Sequence, residues 1–337
     1  MMTNKYDRDR VFSTLFSILP SISRSFSYIT LKIKSQELKE IIAVSYILFR
    51  IADTIEDSVC NNSTKSRLFG LLAGLTSGEG EFTIENLDEF LKQADYLKKI
   101  TVDEKNLLMN SETALRGLYS LKKPVQQIIF RWLKEMMSGM EKYLSREIKD
   151  FEDMEDYCWY VAGTVGFLLS EVFSLYNLLN ADLDFLEDKI RHFALSLQKV
   201  NILRDIYDDW SKQRLFWPAS LFDNSKRTLS DISPQDKKKL INIMIENTVY
   251  SIKNGYEYAL YLDKKELSIR FFCIFSMLLA LKTLIMIKRK PLVFDRNIKV
   301  TKKGFYFTLI NAKIAAHSNY FYRKLVKRYL SKLDFEK

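Results

Sequence analysis

An all-α fold is predicted by three features of this chain. Long segments place apolar residues three and four positions apart, the spacing of one helix face, while alternating strand-like runs are scarce. Only five prolines and ten glycines punctuate 337 residues. No stretch resembles a linker rich in Pro, Gly or Ser. Length alone suggests about two domains; the missing linker instead points to a single all-α domain over 1–337, ending in a basic helical segment over 306–337.

The elements follow in order. AVSYILFRIADTIEDSV carries a helical apolar stripe of Ile47, Leu48, Ile51 and Ile55. CNNSTKS after Asp57 and the LTSGEGEF stretch read as loops. Thr101 with Glu104 is a helix-start signal. YCWYVAGTVG holds Gly163 and Gly166, each costing roughly 1 kcal/mol in a helix interior relative to alanine, so something there needs small side chains. A loop is expected near Asn180. In FALSLQKVNILRDIYDDW, Leu195, Leu197, Val200, Ile202, Leu203 and Ile206 nearly encircle the helix, leaving little of it to face water. LFDNSKRTLSDISPQD after Pro218 is a loop, closed by Ser233 with Asp236 and a proline at the first helical position. The longest apolar run, Phe271 to Ile287, contains Lys282 and reads as a buried core helix rather than a bilayer span.

Cys60, Cys158 and Cys273 are widely separated and lack metal-type spacing; two lie in strongly apolar surroundings, as small buried thiols do. With His192 and His317 the only histidines, zinc chemistry and a serine or cysteine triad are poorly supported. Charges interrupt the N-terminus before a signal-peptide core can form, and a reducing, cytoplasmic setting is expected. Net charge is +10, and the last fifth is basic, from Lys288, Arg289 and Lys290 to Lys327 and Arg328. A solvated face is the plainest reading of that surface; anionic lipid and nucleic acid are the other partners it could serve.

The features that carry chemistry are two acidic pairs. Asp53 and Asp57 lie on the first apolar helix, and Asp205 and Asp209 on the second, some 150 residues later. Four residues is close to one turn, so each pair projects from one face with Cβ atoms about 5–6 Å apart. Such pairs are common on solvated helices. In apolar segments, however, repulsion adds to the cost of desolvation, and a bound cation is the simplest compensation. All-oxygen ligands suit Mg²⁺, which shares its remaining positions with water and substrate phosphates. Arg50 precedes Asp53 by three residues and Arg204 immediately precedes Asp205; guanidinium can hold carboxylates ionised or grip phosphate bidentately. The chain thus reads as an enzyme handling diphosphates. Asp208 breaks the spacing and reads as a flanking acid. A non-catalytic basic helical protein that binds lipid or nucleic acid is the distant alternative, but it has no use for two matched acidic pairs, which repel phosphate unless a metal intervenes; no nucleic-acid partner is expected.

In order along the chain, SRSF (Ser23 to Phe26), FRIADTIED, YCWYVAGTVG, LQKVNILRDIYDD and RLFWP (Arg214 to Pro218) resemble the squalene and phytoene synthase family, the head-to-head prenyl synthases, over about residues 20 to 305. YCWYVAG, FWP and FFCIFSMLLA look more like the squalene than the phytoene synthases. The resemblance implies a helical isoprenoid synthase fold whose central cavity is flanked by the two aspartate-rich helices. It implies condensation of two farnesyl diphosphates through presqualene diphosphate, then reduction by NADPH to squalene. Its non-reductive alternatives stop at presqualene diphosphate, hydroxysqualene, dehydrosqualene or phytoene.

Residue by residue, the resemblance assigns Mg²⁺ to Asp53, Asp57, Asp205 and Asp209, and substrate diphosphate to Arg24, Arg50, Arg204 and Arg214, for which ion pairing with the aspartates is the plain alternative. Arg204 and Arg214 also count as catalytic through the leaving group. Tyr157 matches a tyrosine that manages a proton and a carbocation, and Phe272 an aromatic near the second carbocation; without the resemblance both read as core. Gly163 and Gly166 either pack helices closely or make room for a prenyl chain. Trp159 stands where squalene synthases often carry histidine. No GxGxxG follows a strand-like segment; the basic stretch IKVTKKGFYFTL resembles the family's cofactor-contacting segment, with Lys302 and Lys303 for the NADPH phosphate. Many eukaryotic relatives end in a membrane anchor, and here the expected attachment is peripheral, through basic surface. The sequence carries no signal for oligomeric state.

Overall fold

The computed structural model describes residues 5–78, 83–212, 214–222 and 229–334. Among these residues the regular elements are helices, joined by two isolated bridges, Val59 with Lys98 and Leu179 with Leu262. The all-α class read from the sequence is the one the chain adopts. It divides into two compact units, Met1–Arg146 and Glu147–Lys337.

The first unit contains α1 (Lys5–Ile22), α2 (Arg24–Thr30), α3 (Gln36–Asp57), α4 (Asn62–Leu75), α5 (Ile84–Ala94), α6 (Val102–Met109), α7 (Ser111–Tyr119) and α8 (Lys123–Tyr143). Helix α3 is its spine, packed by α1, α4, α6, α7 and α8. Ser35 caps it by accepting from the Leu38 N–H, and Ile41, Val44, Ile47, Leu48, Ile51 and Ile55 are buried. Glu40, buried on the same helix, is compensated by Arg8 Nη2 at 2.5 Å and Gln36 Nε2 at 2.8 Å. The CNNSTKS loop is shorter than its composition suggests, because the Asn61 side chain accepts from the Thr64 N–H and starts α4 at Asn62. In LTSGEGEF, α4 ends at Leu75, and residues 79–82 lie outside the described part. Thr101 and Glu104 form the reciprocal capping box that their spacing predicts.

The second unit contains α9 (Phe151–Cys158), a π-turn (Trp159–Gly163), α10 (Thr164–Leu175), α11 (Leu183–Ser211), α12 (Pro234–Gly255), α13 (Leu267–Arg289), α14 (Lys302–His317) and α15 (Asn319–Leu330). Ser233 caps α12 as expected, with Pro234 at its first position. Helix α11 is the spine here, packed by α10, the π-turn, α12 and α13. Contact with α12 is close at Gly255, where a Cβ would lie 2.2 Å from the Phe193 backbone nitrogen. Lys199, wholly buried on α11, donates to Glu155 Oε1 of α9 (2.6 Å) and Ser251 Oγ of α12 (2.8 Å). Helix α13 is the core helix expected of Phe271 to Ile287. Its buried Arg270 donates to the carbonyls of Ala259, Leu262 and Ala316 and to Asn319 Oδ1, fixing the α14–α15 corner. By length and composition Phe151–Leu175 and Lys264–Arg289 could each cross a membrane; the second is mostly buried.

All three cysteines are free thiols. Cys158 and Cys273 are buried and Cys60 is half-exposed, in keeping with their sequence settings. Burial pushes the Cys158 and Cys273 thiols each up to about 12.

Candidate active site

Between Glu40 and Ser58 of α3, the four positions that are not buried are Tyr46, Arg50, Asp53 and Asp57. Their spacing of four, three and four residues puts them on one face, a polar row along an otherwise buried helix. Arg50 Nη1 donates to Asp53 Oδ2 at 2.9 Å. Burial works against the Arg50 charge more strongly than any other single influence, yet Asp53, Tyr46 and Asp57 together raise its pKa above the ordinary value. Its Nε is buried without a hydrogen-bond acceptor. A buried donor beside a carboxylate pair fits an anionic oxygen such as that of a diphosphate. Ser23 caps α2 and also hydrogen-bonds the Tyr46 phenol. The Phe26 ring stacks on Tyr46 at 3.8 Å between centroids. SRSF is thus the brace that sets this end of the row. Arg24 opens α2, but its side chain lies outside the described part of the structure.

The second row lies on α11. Gln198, Asn201, Asp205 and Asp209 share a face at intervals of three, four and four residues, between buried Val200, Ile202, Leu203 and Ile206. Asn201 Nδ2 donates to Gln198 Oε1 at 3.3 Å. The Arg204 guanidinium forks onto Asp205, with Nε at 2.7 Å from Oδ1 and Nη2 on Oδ2. Burial opposes the Arg204 charge, but the Asp205 hydrogen bonds and the charges of Asp205, Asp209 and Asp208 raise its pKa. Asp208 accepts from the Asn297 amide, in the segment before α14.

Beyond α11 the chain doubles back, with the Arg214 N–H donating to the Asp209 carbonyl at 2.9 Å. Trp217, almost fully buried, donates from Nε1 to the Ile202 carbonyl at 3.0 Å. These two bonds hold Phe216 between Arg214 and Tyr157. The Arg214 guanidinium carbon lies 4.6 Å from the Phe216 ring centroid, and the Phe216 and Tyr157 rings stack at 4.6 Å and 17°. The result is a three-layer pile of cation, ring and phenol ring.

The glycines of YCWYVAGTVG are explained by close packing. A Cβ on Gly163 would meet the Trp159 indole at 2.4 Å, and one on Gly166 would meet Ala194 Cβ of α11 at 2.8 Å. Trp159 is itself covered by Arg191, 5.0 Å from its ring, and by the edge of Phe167. The π-turn begins two residues after Tyr157, so one extra residue is inserted into the helical run directly beyond it.

The structure joins Asp53 to Arg50, Asp205 to Arg204, and, through the Phe216 ring between them, Arg214 to Tyr157. Phe272 is buried on α13. Lys302 and Lys303 are exposed in the first turn of α14, capped by Thr301. Among the described residues no three His, Cys, Asp or Glu side chains gather as a metal cage; each row offers two carboxylates, a set that suits Mg²⁺ keeping water and phosphate in its other positions. The partnering roles of Tyr46 and Phe216 were not evident beforehand. Tyr46 was findable as the continuation, at i−4 and i−7, of the Arg50–Asp53 face; nothing in the local sequence pairs Phe216 with Tyr157, 59 positions earlier.

Fold and site together define an all-helical protein with two rows in which paired carboxylates sit beside guanidinium. The family model for squalene/phytoene synthases matches residues 19–303. The chain belongs to the squalene/phytoene synthase family, a family of prenyltransferases. It is 30% identical over 297 residues to the probable squalene synthase of Neurospora crassa, covering 85% of this chain and 59% of that protein. To the squalene synthase of Schizosaccharomyces pombe it is 27% identical over 296 residues, covering 85% and 62%. The chain therefore spans about three fifths of the length of these two relatives. The solved structure of TcSQS in complex with a ligand superimposes with a TM-score of 0.80 at 22% identity, covering 96% of this chain and 91% of that one. A ligand-bound dehydrosqualene synthase gives 0.62 at 16%, covering 93% and 98%. At these identities the likeness is one of fold.

Proposed function

We propose that the protein condenses two farnesyl diphosphates head to head through presqualene diphosphate and reduces that intermediate to squalene with NADPH, in a Mg²⁺-dependent reaction. The observation that carries the reading is the pair of carboxylate–guanidinium rows in a chain of this family: Tyr46, Arg50, Asp53, Asp57 on α3 and Gln198, Asn201, Asp205, Asp209 with Arg204 on α11. Asp53, Asp57, Asp205 and Asp209 would hold Mg²⁺, which when bound neutralises the charge that develops on departing diphosphate. Lys302 and Lys303 would hold the phosphate of NADPH, the source of hydride.

The chain's own groups perform the remaining tasks. Arg50 turns its acceptorless Nε toward a phosphoryl oxygen, and Arg204 and Arg214 add fixed positive charge where the carbon–oxygen bond breaks. Loss of diphosphate leaves an allylic cation. The Tyr157 ring, backed on one side by Phe216, can meet that cation with its other π-face, and the Tyr157 hydroxyl can take up and return a proton at its oxygen.

Product analysis with farnesyl diphosphate and Mg²⁺, with and without NADPH, tests the reading. Squalene formed only with NADPH is the expected result. Presqualene diphosphate, hydroxysqualene or dehydrosqualene regardless of NADPH would overturn the reductive half and leave a non-reductive synthase. No turnover of farnesyl diphosphate would overturn the substrate assignment and move the assay to geranylgeranyl diphosphate.

A further inference from the structure

Helix α14 is apolar on both sides. Its inner face buries Thr308, Leu309, Ala312, Ala315 and Ala316 in the second unit. Its outer face carries Tyr306 (61% exposed), Phe307 (55%), Ile310 (62%) and Ile314 (49%). At about 100° per residue these four fall within an arc of roughly 100°, and Lys303, Lys313 and His317 fall within or next to it. Tyr320, at the start of α15, is 75% exposed, with Lys324 Nζ 6.0 Å from its ring. Lys282 lies beside Phe307 in the same way. Large side chains exposed on three successive turns form a contiguous patch, where isolated apolar residues would need no explanation.

Charge selects what covers this face. From Val300 to Leu333 the chain has eight Lys or Arg residues and no Asp or Glu. The cations crowd one another: burial first, then Arg328, Arg289 and Lys282, push the Lys332 ammonium below its ordinary value. A second copy docked face to face would set like charges against like. Nucleic acid would meet two isoleucines at the centre of the patch, where phosphate contact calls for cations. A surface with negative headgroups above an apolar layer satisfies both halves, since lysines reach up to the phosphates while aromatic and aliphatic side chains enter below. The mounting is rigid, because Arg270 fixes the α14–α15 corner and Tyr322 donates to the Tyr256 carbonyl at 3.1 Å.

We propose that the outer face of α14, with Tyr306, Phe307, Ile310 and Ile314 at its centre and Lys313 and Lys324 at its edges, lies in the interface of an anionic lipid bilayer. The surface shares Lys303 with the cofactor contact assigned above, so vesicle binding is measured without NADPH, and it holds whichever product the enzyme releases. The test is co-sedimentation of the full chain with vesicles of phosphatidylcholine alone and of phosphatidylcholine with about one third phosphatidylserine. The chain should bind the anionic vesicles at least about tenfold more tightly than the neutral ones and detach in high salt. The double variant Ile310→Asp/Ile314→Asp, whose folding is checked by its thermal melt, should lose at least about tenfold of that binding. Phe307→Trp should become quenched by brominated acyl chains, which a purely electrostatic contact would not produce. Equal binding by the Asp variant, an unquenched Trp, or equal affinity for both vesicle types would overturn the proposal. So would a wild-type dimer that the Asp variant dissolves without any vesicle binding, or duplex DNA that captures the chain while vesicles do not.

Discussion

The two acidic rows have the same spacing but different electrostatic partners. On α3 the arginine stands one turn before the pair, touches Asp53 through a single nitrogen and keeps Nε without an acceptor. On α11 the arginine is the next residue to Asp205 and covers both its oxygens. The first arrangement leaves a guanidinium edge available to a phosphate, whereas the second neutralises its leading carboxylate within the row. The supports differ too. Tyr46 is braced locally by Ser23 and Phe26, while the α11 row is fastened by buried Lys199 and by Trp217 folding back onto the Ile202 carbonyl. One sequence signature can therefore stand for two electrostatic states, and the neighbouring cation decides which.

The largest expected effect puts the equivalence of the rows at risk. Asp53→Asn and Asp205→Asn should each lower turnover of farnesyl diphosphate by about a thousandfold or more, ~4 kcal/mol of barrier. If Asp205 serves only to neutralise Arg204, Asp205→Asn will keep more than about a tenth of the activity, and the rows are not equivalent.

Packing around the two spines offers a second contrast. A Cβ at Gly255 meets the backbone of α11, which cannot yield, whereas one at Gly117 meets the side-chain ends of Leu15 and Val44 at 2.9 and 3.0 Å. Gly255→Ala should cost about 3 kcal/mol in urea denaturation and Gly117→Ala well under half of that. Equal costs would show that the α11–α12 contact relaxes.

Phe216→Leu removes the middle layer of the stack and should lower kcat about tenfold with little change in KM, while Phe216→Tyr restores it. A rise in KM alone would place Phe216 in substrate binding instead.

The smallest effect is one of pH, and it belongs to the second unit, which holds both histidines. Burial first, then Lys199, keep the His192 imidazole below its ordinary pKa. The unfolded chain therefore takes up that proton first as pH falls. This contribution to stability is full above about pH 6.5 and is lost as pH drops toward the lower folded value. Melting temperatures taken between about pH 7.5 and 5 should fall less steeply in His192→Gln; an unchanged slope would assign the loss to carboxylates.

Much of this was legible in the sequence because helix periodicity is a local property. A spacing of four positions between aspartates fixes a shared face, and the α3 and α11 segments, the Thr101 and Ser233 caps and the buried α13 all follow from spacing and composition. Partners distant in sequence were not legible. Lys199 reads as one polar residue in an apolar helix until Glu155 and Ser251 arrive from two other helices, and Phe216 reads as part of FWP until Tyr157 lies beneath it. The π-turn escaped for a related reason: Trp159 filling the space above Gly163 is a tertiary contact, and the glycine alone gave only the need for something small. Asn61 shortened a loop because a side-chain cap overrode its polar composition.

The thiols have a further use. Cys158 and Cys273 are sealed in the second unit with their acidity suppressed, and Cys60 is half-exposed in the first. An alkylating reagent reaches the sealed pair only when that unit opens, so their labelling rate, read against Cys60, is a built-in clock for sub-global unfolding. Slower labelling in the presence of a ligand would report that the ligand holds the second unit closed, without any assay of turnover.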